Sequence, residues 1–375
     1  MDSALFNKPE VSAARQEYYR RLYGKSAVPL WEVLADLIPA SPRPACVPAL
    51  WRYDEMRPLL LEAGSVITPE EAERRVLALE NPGLRGSSCI TQSLYAGLQL
   101  VLPGETTPSH RHSMSALRFV IEGEGGYTAV DGERTYMHPG DFILTPSWTF
   151  HDHGATASPA NNDPVVWLDG LDVPIVNLLD ASFVEPYPHA DGGAHGKGNT
   201  QALLRKEGDA LARYGANMMP LDYEQERKAA PVFNYPYSRS REALETVYRH
   251  GPVNPWHGVK LQYSNPATGG YPMPTIAAYL QLLPSGFRSA PYRSTDATIF
   301  CVAEGRGSTQ VRTRPVGTGL GELTTFHWEP RDVFAVPSWC PVAHHADSEA
   351  VLFSFSDRPV QKMLGVWREE DRTEL

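Results

Sequence analysis

Cysteine is scarce in this chain: four residues in 375, at Cys46, Cys89, Cys301 and Cys340, with no C-x-x-C pair. Such scattered thiols read as reduced and buried, as in a cytoplasmic protein. Long apolar runs are missing too, since nothing approaches the ~18 residues of a membrane-spanning helix. The opening stretch, MDSALFNKPEVSAARQEYYRRLYG, lacks the apolar core of a signal peptide. Positive charge is in short supply: Lys and Arg total 34 against 44 Asp and Glu, a net charge of −10. That balance argues against nucleic acid or an anionic membrane as partner. An anionic substrate must then be drawn in by local arginines.

What is present points to β structure. Hydrophobic residues make up 42% of the chain, enough for a sizeable interior, and 17 Tyr, 8 Trp and 33 Pro favour strands, turns and aromatic-lined pockets over a helical bundle. The length exceeds the usual size of one core and suggests two domains or a duplicated one.

Gly104 to Gly154 holds five of the twelve histidines. His110 and His112 lie two apart, so on a strand both leave the same face, and His151 and His153 repeat the spacing. Between the pairs, Leu117 to Ile121, Tyr127 to Val130 and Phe142 to Leu144 read as strands, with turns at Glu122-Gly-Glu-Gly125 and Asp131-Gly132. Such a meander can bring both pairs to one pocket. A lone His-x-His is most simply a surface pair; two pairs around a glycine-punctuated β pattern favour a metal, and imidazoles suit Zn, Fe, Cu or Ni.

Gly104, five residues, His110-Arg-His112 and then Gly123 resembles the first cupin signature; Gly140, five residues, Pro146, then Trp148 and His151 resembles the second. The usual first signature adds a Glu ligand a little beyond the second His, where this chain has Ala116 and Leu117. The resemblance thus leaves a three-histidine site, His110, His112 and His151. It is to the gentisate 1,2-dioxygenase family, cupins that cleave aromatic rings and include salicylate and 1-hydroxy-2-naphthoate dioxygenases. The implied fold is an all-β bicupin: two antiparallel jelly-roll barrels with short N-terminal and linker helices. Residues 1–92 would form an N-terminal helical or extended segment, 93–185 the metal-binding barrel, 186–258 a linker and 259–375 a second barrel without ligands.

The remaining candidates follow the chain. Val11 to Tyr23 and Leu30 to Leu37 read as helices, and Thr68 and Pro69 can start another that Asn81-Pro82-Gly83 would stop. Arg74 and Arg75 on that helix read as a solvated face; the resemblance carries one of them into the active site, Arg74 first and Arg75 second, and the sequence itself does not choose between them. Ser93 to Leu102 is an alternating strand with Tyr95, Gly97 and Gln99 on one face and Leu94, Ala96, Leu98 and Leu100 on the other. The first face suits either an edge strand in water or a ligand wall, with room for a flat ring at Gly97; the resemblance favours the wall. Arg118 would need an anion if it pointed inward and nothing if it pointed outward; the resemblance makes it the clamp on a substrate carboxylate. Asp169 reads equally as a hydrogen-bond partner behind a histidine or as a strand-end cap. Asp191 to Asn199 is a turn-rich linker, and Arg241 to Arg249 a short helix.

A second β-rich block, from about Val259 to Asp357, echoes the first: PRDVFAVPSWCPVAHH against PGDFILTPSWTFHDH. In that register Tyr292, Ser294 and Val342 replace the three histidines, and His344 falls opposite His153. The resemblance implies Fe(II), a small aromatic hydroxy acid and O2 as partners, cleavage of gentisate to maleylpyruvate, and a homotetramer. His153 can accept the substrate hydroxyl proton as a neutral base. Salicylate and 1-hydroxy-2-naphthoate are alternative substrates. A non-catalytic bicupin binding protein is the rival of another class, and a Zn- or Mn-dependent cupin isomerase the rival enzyme.

Overall fold

The computed structural model describes residues 12–157, 163–188, 200–216, 218–224, 228–313, 321–372 and 374–375. Two units separate, residues 1–43 and 44–375. The first carries helices Ala13–Tyr23 and Leu30–Leu37. Ser12 caps the former by accepting from the Arg15 N–H at 3.4 Å, and Arg15 pairs with Glu32 of the latter at 2.8 Å. Val11, the expected helix start, lies outside the described residues, as does the Asp191 to Asn199 linker.

The described residues of the second unit form four antiparallel sheets. In spatial order, one six-stranded sheet runs Asn234–Tyr235, Phe142–Thr145, Ala116–Glu122, Val165–Leu171, Tyr95–Val101 and Arg75–Ala78. It faces a five-stranded sheet of Val184–Pro186, His110–His112, His151–Ala155, Gly126–Val130 and Glu133–Met137. The second pair repeats the plan. Its six strands are Ala49–Trp51, Val333–Val336, Thr298–Glu304, Ala350–Ser356, Ala277–Leu283 and Val259–Gln262. Its five are Leu323–Trp328, Gly307–Arg312, Val342–Ala346, Tyr292–Ser294 and Glu369–Asp371. This is the expected bicupin.

Strand alternation decides where the cores lie. Leu98, Leu100, Leu117 and Phe119 of the first six-stranded sheet join Leu280, Leu282, Phe353 and Phe355 of the second in one core between the barrels. Phe119 and Phe353 stack there, centroids 4.2 Å apart. The opposite faces look into the barrels, around Val101, Ile143 and Trp167 in the first and Phe300, Phe334 and Leu352 in the second.

The duplication reaches the backbone. His110 pairs in register with His151, and Tyr292 with Val342. Trp148 and Trp339 both take positive φ, 59° and 61°, and their N–H groups donate to His112 at 2.8 Å and Ser294 at 2.7 Å. Gly123 and Gly305 take φ of 92° and 81°, and a Cβ on either would drive into a carbonyl, that of Pro164 or Glu349.

Three local expectations change. The helix after Thr68 is a single turn, Pro69–Ala72, with Thr68 as N-cap in a capping box with Glu71; Glu73 at φ 53° ends it, and Arg75 opens a strand instead. There Val76 pairs with Gln99, so tertiary pairing outweighs local helix propensity. Helix Tyr53–Val66 was not foreseen because Pro58 sits inside it; burial of Tyr53 and Leu60 holds it in place. Strands also enter the barrels from the segments expected to flank them: Leu50 lies opposite Phe334, and Asn234 opposite Ile143.

Gly305→Ala should lower the unfolding free energy by ~2 kcal/mol or more through positive-φ strain and the carbonyl clash. Denaturant unfolding measures it, and the first barrel's metal content should not change.

Candidate metal centre and active site

The three expected ligands converge. Donor atoms of His110, His112 and His151 all lie within 4.8 Å of one another. Among the described residues this is the one group of three or more His, Cys, Asp or Glu side chains arranged to hold a metal ion. His110 and His112 share a short strand, and the antiparallel pairing sets His151 directly opposite His110. His138, the remaining histidine of the stretch, is exposed and pairs with Glu124 at 2.7 Å.

Hydrogen bonds aim the rings. His112 Nδ1 lies 2.9 Å from the Met114 carbonyl and His151 Nδ1 2.9 Å from the Thr149 carbonyl. A carbonyl only accepts, so each Nδ1 carries the proton and each Nε2 presents its lone pair. Burial lowers the pKa of His110 to about 2, helped by the Arg74 charge, and that of His112 to about 4. His151 is likewise held well below its ordinary value by burial and its histidine neighbours. The set is therefore neutral at physiological pH and fits a divalent metal with bonds of about 2.1 Å.

Beside it lie two arginines. Arg118, 3% exposed, points into the barrel: Nη1 donates to Thr145 Oγ1 at 2.7 Å, Nη2 to His153 Nε2 at 3.0 Å, and Nε stands 3.7 Å from Asp169 Oδ1. Arg74 Nη2 donates to the Pro108 carbonyl at 2.9 Å and to His110 Nδ1 at 2.7 Å, so in this geometry the neutral His110 ring carries its proton on Nε2 and would exchange tautomer on taking a metal there. Burial and the Arg118 charge bring Arg74 down to about 10, still cationic at neutral pH. Arg75 turns away, donating to Glu105 at 2.6 Å and to the Ile67 carbonyl at 3.0 Å. Geometry thus separates the two arginines that sequence left equivalent.

Other positions differ from expectation in detail. Asp169 partners Arg118 and the Trp167 indole, 2.9 Å away, rather than a histidine; burial raises it to about 6 against the pull of Arg118. His153 is 1% exposed, and because arginine only donates, its Nε2 accepts from Arg118 while Nδ1–H donates to Thr128 Oγ1 at 2.8 Å. Its lone pair is thus engaged in this state rather than open to the pocket. Gln99 is 3% exposed with Nε2 unpartnered. The room at Gly97 is already used, since a Cβ there would lie 2.5 Å from Val76 Cγ1 and 2.8 Å from the Tyr95 hydroxyl. Tyr95 itself is half-buried, and burial raises its phenol. Thr128, Thr145 and the Pro108 carbonyl were not singled out from sequence. The inward parity of Thr128 and Thr145 was the only available signal, and many strand threonines share it.

The cupin domain family matches residues 97–169. Gentisate 1,2 dioxygenase 1 of Aquipseudomonas alcaligenes is 51% identical over 96% of this chain and 98% of its own length. A 5-aminosalicylate 1,2-dioxygenase of a Comamonas species is 36% identical over 91% and 86%. The crystal structure of salicylate 1,2-dioxygenase from Pseudoaminobacter salicylatoxidans with gentisate superposes with a TM-score of 0.84 at 32% identity, covering 98% of this chain and 96% of that one. A bicupin with one three-histidine centre and two arginines beside it belongs among the ring-cleaving cupin dioxygenases. Within that class the chain is a member of the gentisate 1,2-dioxygenase family. Membership removes the binding-protein and isomerase alternatives.

A histidine buried in neutral form favours the native state only above its unfolded pKa of about 6.5, because below it the unfolded chain takes up more protons. His110, His112, His151, His153, His257 and His344 are all depressed in this way. Asp169 and Asp357, raised to about 6, work in the opposite sense but only below that pH. Denaturant unfolding of metal-free protein should show stability falling between pH 7 and pH 6; a flat profile would contradict the neutral assignment.

Proposed function

We propose that the chain is an Fe(II)-dependent, extradiol-type dioxygenase that opens the ring of gentisate between its carboxyl- and hydroxyl-bearing carbons, giving maleylpyruvate. The observation that carries this reading is the buried Arg118 beside three neutral imidazoles, a cation whose Nε makes no hydrogen bond and stands 3.7 Å from its carboxylate neighbour Asp169. An incoming carboxylate completes that charge balance in a dry site. The gentisate relative and the neighbouring structure with gentisate support the choice of substrate.

His110, His112 and His151 would hold iron, whose chemistry is to let an electron-rich ring react with O2. Arg118 and Arg74 orient the substrate carboxylate, with Asp169 holding Arg118 in place. Arg75 supports the strand through Glu105. As Arg118 turns to the carboxylate, His153 Nε2 is released to take the proton of the substrate hydroxyl, and Thr128 keeps its tautomer fixed. Gln99 Nε2 and the Tyr95 hydroxyl address the ring's other substituents, with Gly97 making space for the phenol. The functional division places chemistry in residues 93–185 and support in 259–375, with 1–92 and 186–258 around them. Assembly as a homotetramer fits the exposed Leu178, Leu179, Phe183 and Val184. No helix among the described residues is long and apolar enough to cross a membrane.

After anaerobic reconstitution with Fe(II), oxygen uptake and product spectra should show gentisate strongly preferred over salicylate and 1-hydroxy-2-naphthoate. Preference for either of the other two would move the substrate assignment, and no uptake with any would sink it. Arg118→Ala should raise the KM for gentisate ~100-fold while iron content stays near wild type, as expected for loss of a charge-assisted clamp. Parallel loss of iron and activity would make Arg118 structural instead.

A further inference from the structure

The second barrel has lost the three ligands, yet its inner face is not simply apolar. Tyr279 and Gln281 alternate with Leu280 and Leu282 of the inter-barrel core, so they face inward. Ser354 lies opposite Tyr279 in register, and Lys260 opposite Gln281. The Ser354 hydroxyl and Gln281 Oε1 are buried without partners, and the buried Tyr279 hydroxyl has Tyr271 beside it but no hydrogen bond of good geometry; Tyr279, Ser354 and Gln281 are 7%, 0% and 0% exposed.

His344 adds a fourth unpartnered group. It repeats His153, with Nδ1 2.8 Å from Thr309 Oγ1. Trp328 Nε1 donates to that same oxygen at 2.9 Å, and the tautomer that also gives the threonine hydrogen an acceptor is the one in which it goes to His344 Nδ1. The proton of the neutral ring then sits on Nε2, which is buried and has no acceptor. In the first barrel the equivalent nitrogen faces Arg118; here Phe300 takes that place, its ring 5.2 Å from His344.

Lys260 supplies the charge. Its ammonium lies over the rings of Tyr279 at 4.8 Å and Phe300 at 5.9 Å, and no carboxylate among the described residues pairs with it. The nearby acids are engaged: Arg358 pairs with Asp296 at 3.1 Å and lies 3.8 Å from Glu369. Burial lowers Lys260 to about 8, so it stays largely charged at neutral pH. A cation that feels Asp296 and Glu369 but pairs directly with neither, three available donors, one free acceptor and aromatic walls describe a particular kind of guest.

We propose that the second barrel binds a small organic carboxylate, its oxygens on Lys260, Tyr279, Ser354 and His344 and its apolar body against Phe300. Gln281 Oε1 accepts from a hydroxyl on the guest. The site holds no metal ligands and stands apart from the iron centre, so it does not depend on which acid the first barrel oxidises.

Equilibrium dialysis of the anaerobic Fe(II) holoenzyme with radiolabelled benzoate tests this. Lys260→Met should bind one benzoate fewer per chain than wild type, with unchanged iron content and an equal or higher Tm because a buried charge is removed. Tyr279→Phe, a gentler change, should weaken that same benzoate about tenfold. Equal stoichiometry and affinity in all three proteins would overturn the proposal and leave the orphaned groups to buried water. Full displacement by equimolar inorganic phosphate would also overturn it, since the site would then recognise charge alone.

Discussion

Three imidazoles must stay neutral and gather their donor atoms about one point, and much of the first barrel is arranged to satisfy that demand. Burial removes the proton, and the carbonyls of Met114 and Thr149 fix the tautomer of two of the rings. Antiparallel register sets the third against them. Neutral ligands leave the full charge of a divalent ion uncompensated, so anionic substrate oxygens are welcome where the usual cupin glutamate would repel them. The absent carboxylate at Ala116 and Leu117 is thus part of the chemistry.

The same constraint explains the arginines. A guanidinium 3% exposed on an inner strand is costly unless something answers it, and Asp169, Thr145 and His153 do so incompletely. Asp169 stands 3.7 Å from Arg118 Nε, which makes no hydrogen bond, and Arg118 remains available to a closer partner. Comparing the barrels shows how separable these features are. The second keeps the glycine turns, the left-handed Trp339 and the His–Thr pair, while Tyr292, Ser294, Val342 and Phe300 stand where the ligands and the clamp would be. Framework and chemistry occupy different faces of the same strands, so one persists without the other.

The architecture and the histidine set were legible because they rest on local signals: period-two alternation, glycine at positive-φ turns and a repeated PSW segment. Arg118's direction and the choice between Arg74 and Arg75 were not, because each depends on which strand lies alongside. Arg75 opens a strand whose Val76 pairs with Gln99, and that pairing, invisible locally, turned an expected helix into sheet. The role of Gly97 was half legible: a gap was evident, but not that the Tyr95 hydroxyl fills it. Helix Tyr53–Val66 was hidden by Pro58, whose local cost is outweighed by burial that only the fold reveals.

The central claim is that one barrel of two holds the metal, through three neutral histidines. Iron content per chain after anaerobic Fe(II) loading and desalting, compared between wild type and His151→Ala, tests it most directly. The account predicts one iron per chain in the wild type and essentially none in the variant. Two irons per chain, or iron retained after His151→Ala, would contradict it.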